Sequence, residues 1–149
     1  MRTRIEAVVL PGDAEFAEDI RAVFDELKRG GIDTLSGECM PPLDVYETDE
    51  TVVIRVDLPS VSPQTVRIVI RGAAVLVVGV KIPRRGRGDA SFHLVERDFG
   101  RFARIVRLTS PCDTSQSRAT LTAGQLTLTV PRITDRRAQR AIVVPVTVS

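Results

Sequence analysis

Ala119-Thr120-Leu121-Thr122-Ala123-Gly124-Gln125-Leu126-Thr127-Leu128-Thr129-Val130 decides the fold. Leu126, Leu128 and Val130 alternate with Thr127 and Thr129, which is the period of a strand with one face buried. Ala123-Gly124 breaks the pattern, and glycine beside a strand pattern signals a turn. The stretch therefore predicts two strands, Ser117–Thr122 and Gln125–Val130.

The same pattern repeats upstream. Val52, Ile54, Val56 and Leu58 share one face, with Val53, Arg55 and Asp57 on the other. Val66, Ile68 and Ile70 oppose Arg67, Val69 and Arg71. About eight strands are predicted: Leu43–Glu47, Thr51–Leu58, Thr65–Arg71, Ala74–Lys81, Phe92–Glu96, Arg101–Leu108 and the two above. Thr48-Asp49-Glu50, Pro59-Ser60 and Arg71-Gly72 punctuate them. Many short strands at this spacing imply an all-β sandwich of immunoglobulin-like type or a barrel. An antibody-type domain is excluded, because the chain has no Trp and Cys39 precedes the strands.

The 149 residues suffice for one domain. Hydrophobic residues make up 43% and charged residues 27%, so a packed core is expected rather than disorder. The division reads as an N-terminal arm over 1–40, a sandwich over 41–132 and a C-terminal extension over 133–149. In the arm, Asp13 reads as an N-cap, and Phe16, Ile20, Val23, Phe24 and Leu27 recur at helical spacing before Gly30-Gly31. This apolar stripe either docks on its own domain's core or packs against other subunits and captures clients. Residues 5–10 read as a further short strand.

Two segments read as adhesive. The link between Lys81 and Arg101 is long and carries Phe92-His93-Leu94-Val95-Glu96. A strand on a projecting loop has an unpaired edge, which must be covered or must pair. The chain then ends in Ala141-Ile142-Val143-Val144-Pro145-Val146-Thr147-Val148-Ser149. In an extended chain Ile142 and Val144, or Val144 and Val146, point the same way, as a knob for an apolar groove would.

Chemistry-bearing residues do not cluster. His93 is the only histidine and has no Ser or Asp partner at a motif spacing. Asp44, Glu47, Asp57 and Glu96 are scattered, without the pairing that general acid–base work needs. Gly86-Arg87-Gly88 lacks the strand–turn–helix setting of a phosphate loop. Cys39 and Cys112 are isolated, which suits neither a zinc site nor a disulfide scaffold. The reading is no enzyme, no catalytic residue, no metal and no cofactor. A net charge of +2 and arginines without interleaved aromatics argue against nucleic acid. No apolar run reaches a membrane span and no signal peptide is visible, so a reduced, cytoplasmic protein is expected.

The order of motifs resembles the α-crystallin domain of small heat-shock proteins of the bacterial and plant type, over roughly 41–146. Residues 119–132 resemble the family's A-x-x-x-x-G-x-L-x-(L/V)-x-x-P-K signature, ending here in Arg132. Glu96-Arg97-Asp98-Phe99-Gly100-Arg101-Phe102-Ala103-Arg104 resembles E-R-x-(Y/F)-G-x-F-x-R. Leu58-Pro59-Ser60 stands where the family has L-P-G, and Leu108-Thr109-Ser110-Pro111 holds two more residues than its L-P. The resemblance implies a dimer in which Phe92, His93, Leu94, Val95 and Glu96 pair with the partner's Leu43–Glu47, near Tyr46, Arg104 and Arg107. It implies that Ile142, Val144 and Val146 dock in a groove of another dimer lined by Val66, Ile68, Ile70, Ala119 and Leu121. It implies ATP-independent holding of partly unfolded clients, with Phe16, Ile20, Phe24 and Leu27 as client contacts. The alternatives are a small sandwich co-chaperone resembling the p23 type and a coat subunit.

Overall fold

The computed structural model describes residues 16–32, 38–83, 88–133 and 142–148. Residues 5–10 and Asp13 lie outside them. Helix α1 spans Ala17–Arg29. Nine strands follow among the described residues: β1 Leu43–Glu47, β2 Thr51–Asp57, β3 Val66–Arg71, β4 Ala74–Lys81, β5 Gly100–Arg107, β6 Arg118–Thr122, β7 Gln125–Pro131, β8 Ile142–Val144 and β9 Val146–Val148.

They form two sheets, ordered β1-β2-β7-β6-β9 and β5-β4-β3-β8. The alternating residues of both face one core. Val52, Ile54, Val56, Ile68, Ile70, Val75, Val77, Phe102, Leu126, Leu128 and Val130 meet there, all buried. At about 25 cal/mol per Å² of apolar area, this interior holds the sheets together. Gly79 is part of the fit, because a Cβ there would stand 2.4 Å from the Thr65 carbonyl oxygen and 2.8 Å from Phe102.

The opening hairpin behaves as its pattern requires. β6 and β7 are antiparallel, with Leu121 opposite Leu126 and Ala119 opposite Leu128. Ala123 and Gly124 both have positive φ, 51° and 77°, the left-handed geometry of a tight two-residue hairpin turn. The turn packs on the next corner. A Cβ on Gly124 would stand 3.0 Å from Pro59 Cα, and Leu58 N–H donates to the Gly124 carbonyl at 2.7 Å. Ser60, in the place of a glycine, takes φ 62°, so the corner keeps its left-handed shape at a steric cost.

One of the eight predicted strands, the fifth, is corrected. Phe92–Glu96 forms no strand; it is coil and exposed. Among the described residues no strand pairs with it, and a strand without a ladder is not stable.

Candidate functional site

The sandwich has two rims, and they differ. On one, β6 ends the first sheet's framework and β3 ends the second's. The tail closes both. β8 pairs antiparallel with β3, Ile142 opposite Ile70 and Val144 opposite Ile68. β9 pairs parallel with β6, Val146 opposite Ala119 and Val148 opposite Leu121. Pro145 lies between the two strands, where its missing N–H interrupts no ladder. Val144 is buried in the core, while Ile142 and Val146 are half-buried against it. The two readings of the tail motif therefore merge into one triplet, centred on Val144. Here the tail is seated on its own chain.

The opposite rim is bare at β1. Among the described residues its strand neighbour is β2 alone. Val45 and Tyr46 are exposed on it, and Arg55 stacks over the Tyr46 ring at 5.2 Å. The other strand of this rim, β5, is partly covered: Glu38 bridges Arg101, and Cys39 N–H donates to the Arg101 carbonyl at 2.9 Å. Arg104 Nη1 donates to the Pro41 carbonyl at 2.7 Å, and burial lowers its pKa from the ordinary arginine value. Arg107 lies at the exposed end of β5. Phe92, Leu94 and Val95 are 72%, 73% and 68% exposed. With Pro83 and Phe99 they line a shallow apolar pocket of about 270 Å³. His93 and Glu96 are exposed beside them.

Phe16, Ile20, Phe24 and Leu27 are buried against the outer side of β3, β4 and β5, so in this state the stripe docks on its own domain. Sequence reasoning missed the reason, although the signal was present. Ala74-Val75-Leu76-Val77-Val78-Gly79-Val80 is apolar without alternation, the mark of a strand buried on both faces.

Two further groups complete the chemistry. Burial, together with the nearby Glu47 charge, raises the Cys112 thiol pKa, against a smaller opposing effect of Arg132. Arg132 Nη1 donates to the Thr48 carbonyl at 2.7 Å, fixing the end of β7. Among the described residues no group of three or more His, Cys, Asp or Glu is placed to hold a metal. No helix among them is long and apolar enough to cross a membrane.

A two-sheet sandwich with one rim closed by a terminal strand pair and the other left open defines a domain of the small heat-shock class. The Hsp20/alpha crystallin family pattern matches residues 44–147, and the chain belongs to that family. It is 33% identical over 93 residues to Spore protein SP21 of Stigmatella aurantiaca, covering 62% of this chain and 55% of that one. The chain thus spans little more than half of that relative. It is 30% identical over 132 residues to the 17.8 kDa class I heat shock protein of Arabidopsis thaliana, 85% of this chain and 83% of that one. Among solved structures, heat shock protein 16.0 from Schizosaccharomyces pombe superposes with a TM-score of 0.62 at 28% identity, over 70% of this chain and 99% of that one.

Proposed function

We propose that this chain is an ATP-independent holder of partly unfolded proteins that assembles into oligomers of dimers. The family is one of small heat-shock chaperones, and its relatives here include class I heat shock proteins. The observation that carries the reading is the pairing of Ile142, Val144 and Val146 with the edges of β3 and β6. A terminal strand that can seat on these edges can seat on the same edges of a sister chain. Each seating buries two or three aliphatic side chains, about 1.5–3 kcal/mol apiece when fully buried. Ordering the tail offsets much of that, so single seatings are reversible and many together hold by avidity.

The dimer contact is assigned to the open rim. Phe92, His93, Leu94, Val95 and Glu96 of one protomer would complete the ladder of β1 in its partner, with Tyr46, Arg104 and Arg107 nearby. The exposure of Phe92 and Leu94, and a β1 edge that pairs with no second strand among the described residues, support this. Two cysteines that form no disulfide suit a reducing compartment such as the cytoplasm. The co-chaperone alternative, which has no use for a docking tail, is not favoured. The test is suppression of aggregation of several heat-stressed enzymes without nucleotide, at one subunit per client. Light scattering should stay low; unchanged aggregation for all of them would remove the function.

A further inference from the structure

The tail that closes one rim is longer than a single ladder needs. Ile142–Val144 pairs antiparallel with β3 and ends at Pro145. Val146–Val148 then changes partner. It pairs parallel with β6 in the other sheet, Ala119 opposite Val146, Thr120 opposite Thr147 and Leu121 opposite Val148. One extended run therefore joins the rim strands of both sheets. Pro145 is the pivot, because its fixed φ and missing N–H end the first ladder before the second begins.

The two halves are held by different forces. In β8 the hold is apolar: Val144 is 3% exposed, and Ile142 is half-buried against the same core. β9 buries no side chain fully. Val146 is half-buried, while Thr147 and Val148 are exposed. What β9 adds is directional. Its backbone takes up a parallel ladder, and Thr147 Oγ1 donates to the Ala119 carbonyl at 3.2 Å. That bond forms only when the segment lies extended on β6 in this register. Apolar sites separate aliphatic side chains of similar size only modestly, whereas directed hydrogen bonds discriminate more sharply.

We propose that Val146–Val148 is the selective half of the tail. By seating on the edge of β6, it lets the rim favour the tail of a second copy of this chain over apolar-x-apolar segments that end or turn away at residue 145. The occupant is a second copy's residues 142–148, because these residues already fit both edges in the register given. The inference rests on the tail docking proposed above and adds which part of the tail chooses the partner. Val144 anchors any segment of suitable size. β9 then rewards only a segment that continues in extended form and carries a donor at the position of Thr147. Main-chain pairing supplies affinity and the placed side chains supply selection. A competitor that fills the β3 site alone makes the first half of the contacts and none of the second, and selection is that difference.

The test uses the full chain and fluorescein-labelled tail peptides, read by anisotropy. The parent peptide covers residues 139–149. A second stops at Pro145, and a third carries Thr147→Val, which keeps the side-chain shape and removes the donor. All compete with the chain's own tail, which lowers their apparent affinities by one common factor, so the ratios report the two edges. The peptide ending at Pro145 should bind at least about fivefold more weakly than the parent peptide, and the Thr147→Val peptide about two- to fivefold more weakly. In the full chain, deleting residues 146–149 should raise the concentration at which half the particles dissociate by at least about fivefold. It should also leave such chains under-represented in particles shared with the parent. Equal binding by the parent and shortened peptides overturns the proposal. The tail docking itself still stands in that case if deleting residues 142–149 lowers the particle mass. Binding by none of the peptides overturns the proposal too, and an unchanged mass on that deletion would then remove the tail docking as well.

Discussion

The two rims of the sandwich meet the same problem with different outcomes. Both have open strand edges, and both lie in a chain with a short apolar segment suited to covering one. Ile142–Val144 and Val146–Val148 find β3 and β6 within their own chain. Phe92, Leu94 and Val95 find nothing and stay exposed. The difference teaches where the proposed assembly would use a second copy. A tail that continues beyond the last sheet strand can fold back on a neighbouring edge. The loop segment between β4 and β5 is exposed on its own chain, and β1 of another chain is the complement proposed for it above.

The largest effect is expected at the open rim. Phe92→Asp with Leu94→Asp should convert the dimer to monomers, halving the smallest stable mass in sedimentation velocity. A dimer that survives both charges would place the contact elsewhere and remove the contrast between the rims. At the closed rim, deleting residues 142–149 should lower the mass of the native particle several-fold in light scattering while leaving dimers intact. If the mass does not move, the tail serves only its own chain. The closed rim is then a finished edge and not an assembly site.

A smaller effect separates anchoring from mere contact within the tail. Val144 is buried where Ile142 and Val146 are half-buried. Val144→Ala removes two buried carbons, at about 0.8 kcal/mol each, so chemical denaturation should show a loss of about 1.5 kcal/mol. The same change at exposed Val143 should be nearly silent. Equal losses at the two positions would contradict the seating of the tail.

Seven of the nine strands among the described residues were legible, several of them because period-two alternation on one face is a local signal. Ala74–Lys81 was legible even to its ends. The tail's apolar-x-apolar spacing was legible too, but not that it would split into an antiparallel and a parallel strand at Pro145. That depends on two edges distant in sequence lying side by side. The pattern at Phe92–Glu96 was misleading for the converse reason: it describes a strand whose ladder a single chain does not supply. The docking of α1 followed from Ala74–Val80, where every residue is apolar, but alternation-based reading treats such a run only as a good strand. The face that the helix covers was therefore missed.

The smallest effect serves as the control on the comparison. Ser60 lies on an exposed corner with φ 62°, away from both apolar segments. A non-glycine residue in that region costs about 1–2 kcal/mol, and glycine there gives back about 0.5–1 kcal/mol through its larger unfolded-state entropy. Ser60→Gly should therefore stabilise the fold by a few tenths to about 1 kcal/mol, seen as a higher denaturation midpoint with an unchanged slope. Sedimentation of this variant should match the parent at every concentration. If assembly followed fold stability in general, the particle would grow or tighten with the midpoint. If it follows the rims, only changes at Phe92–Val95, β1 or the tail will move it.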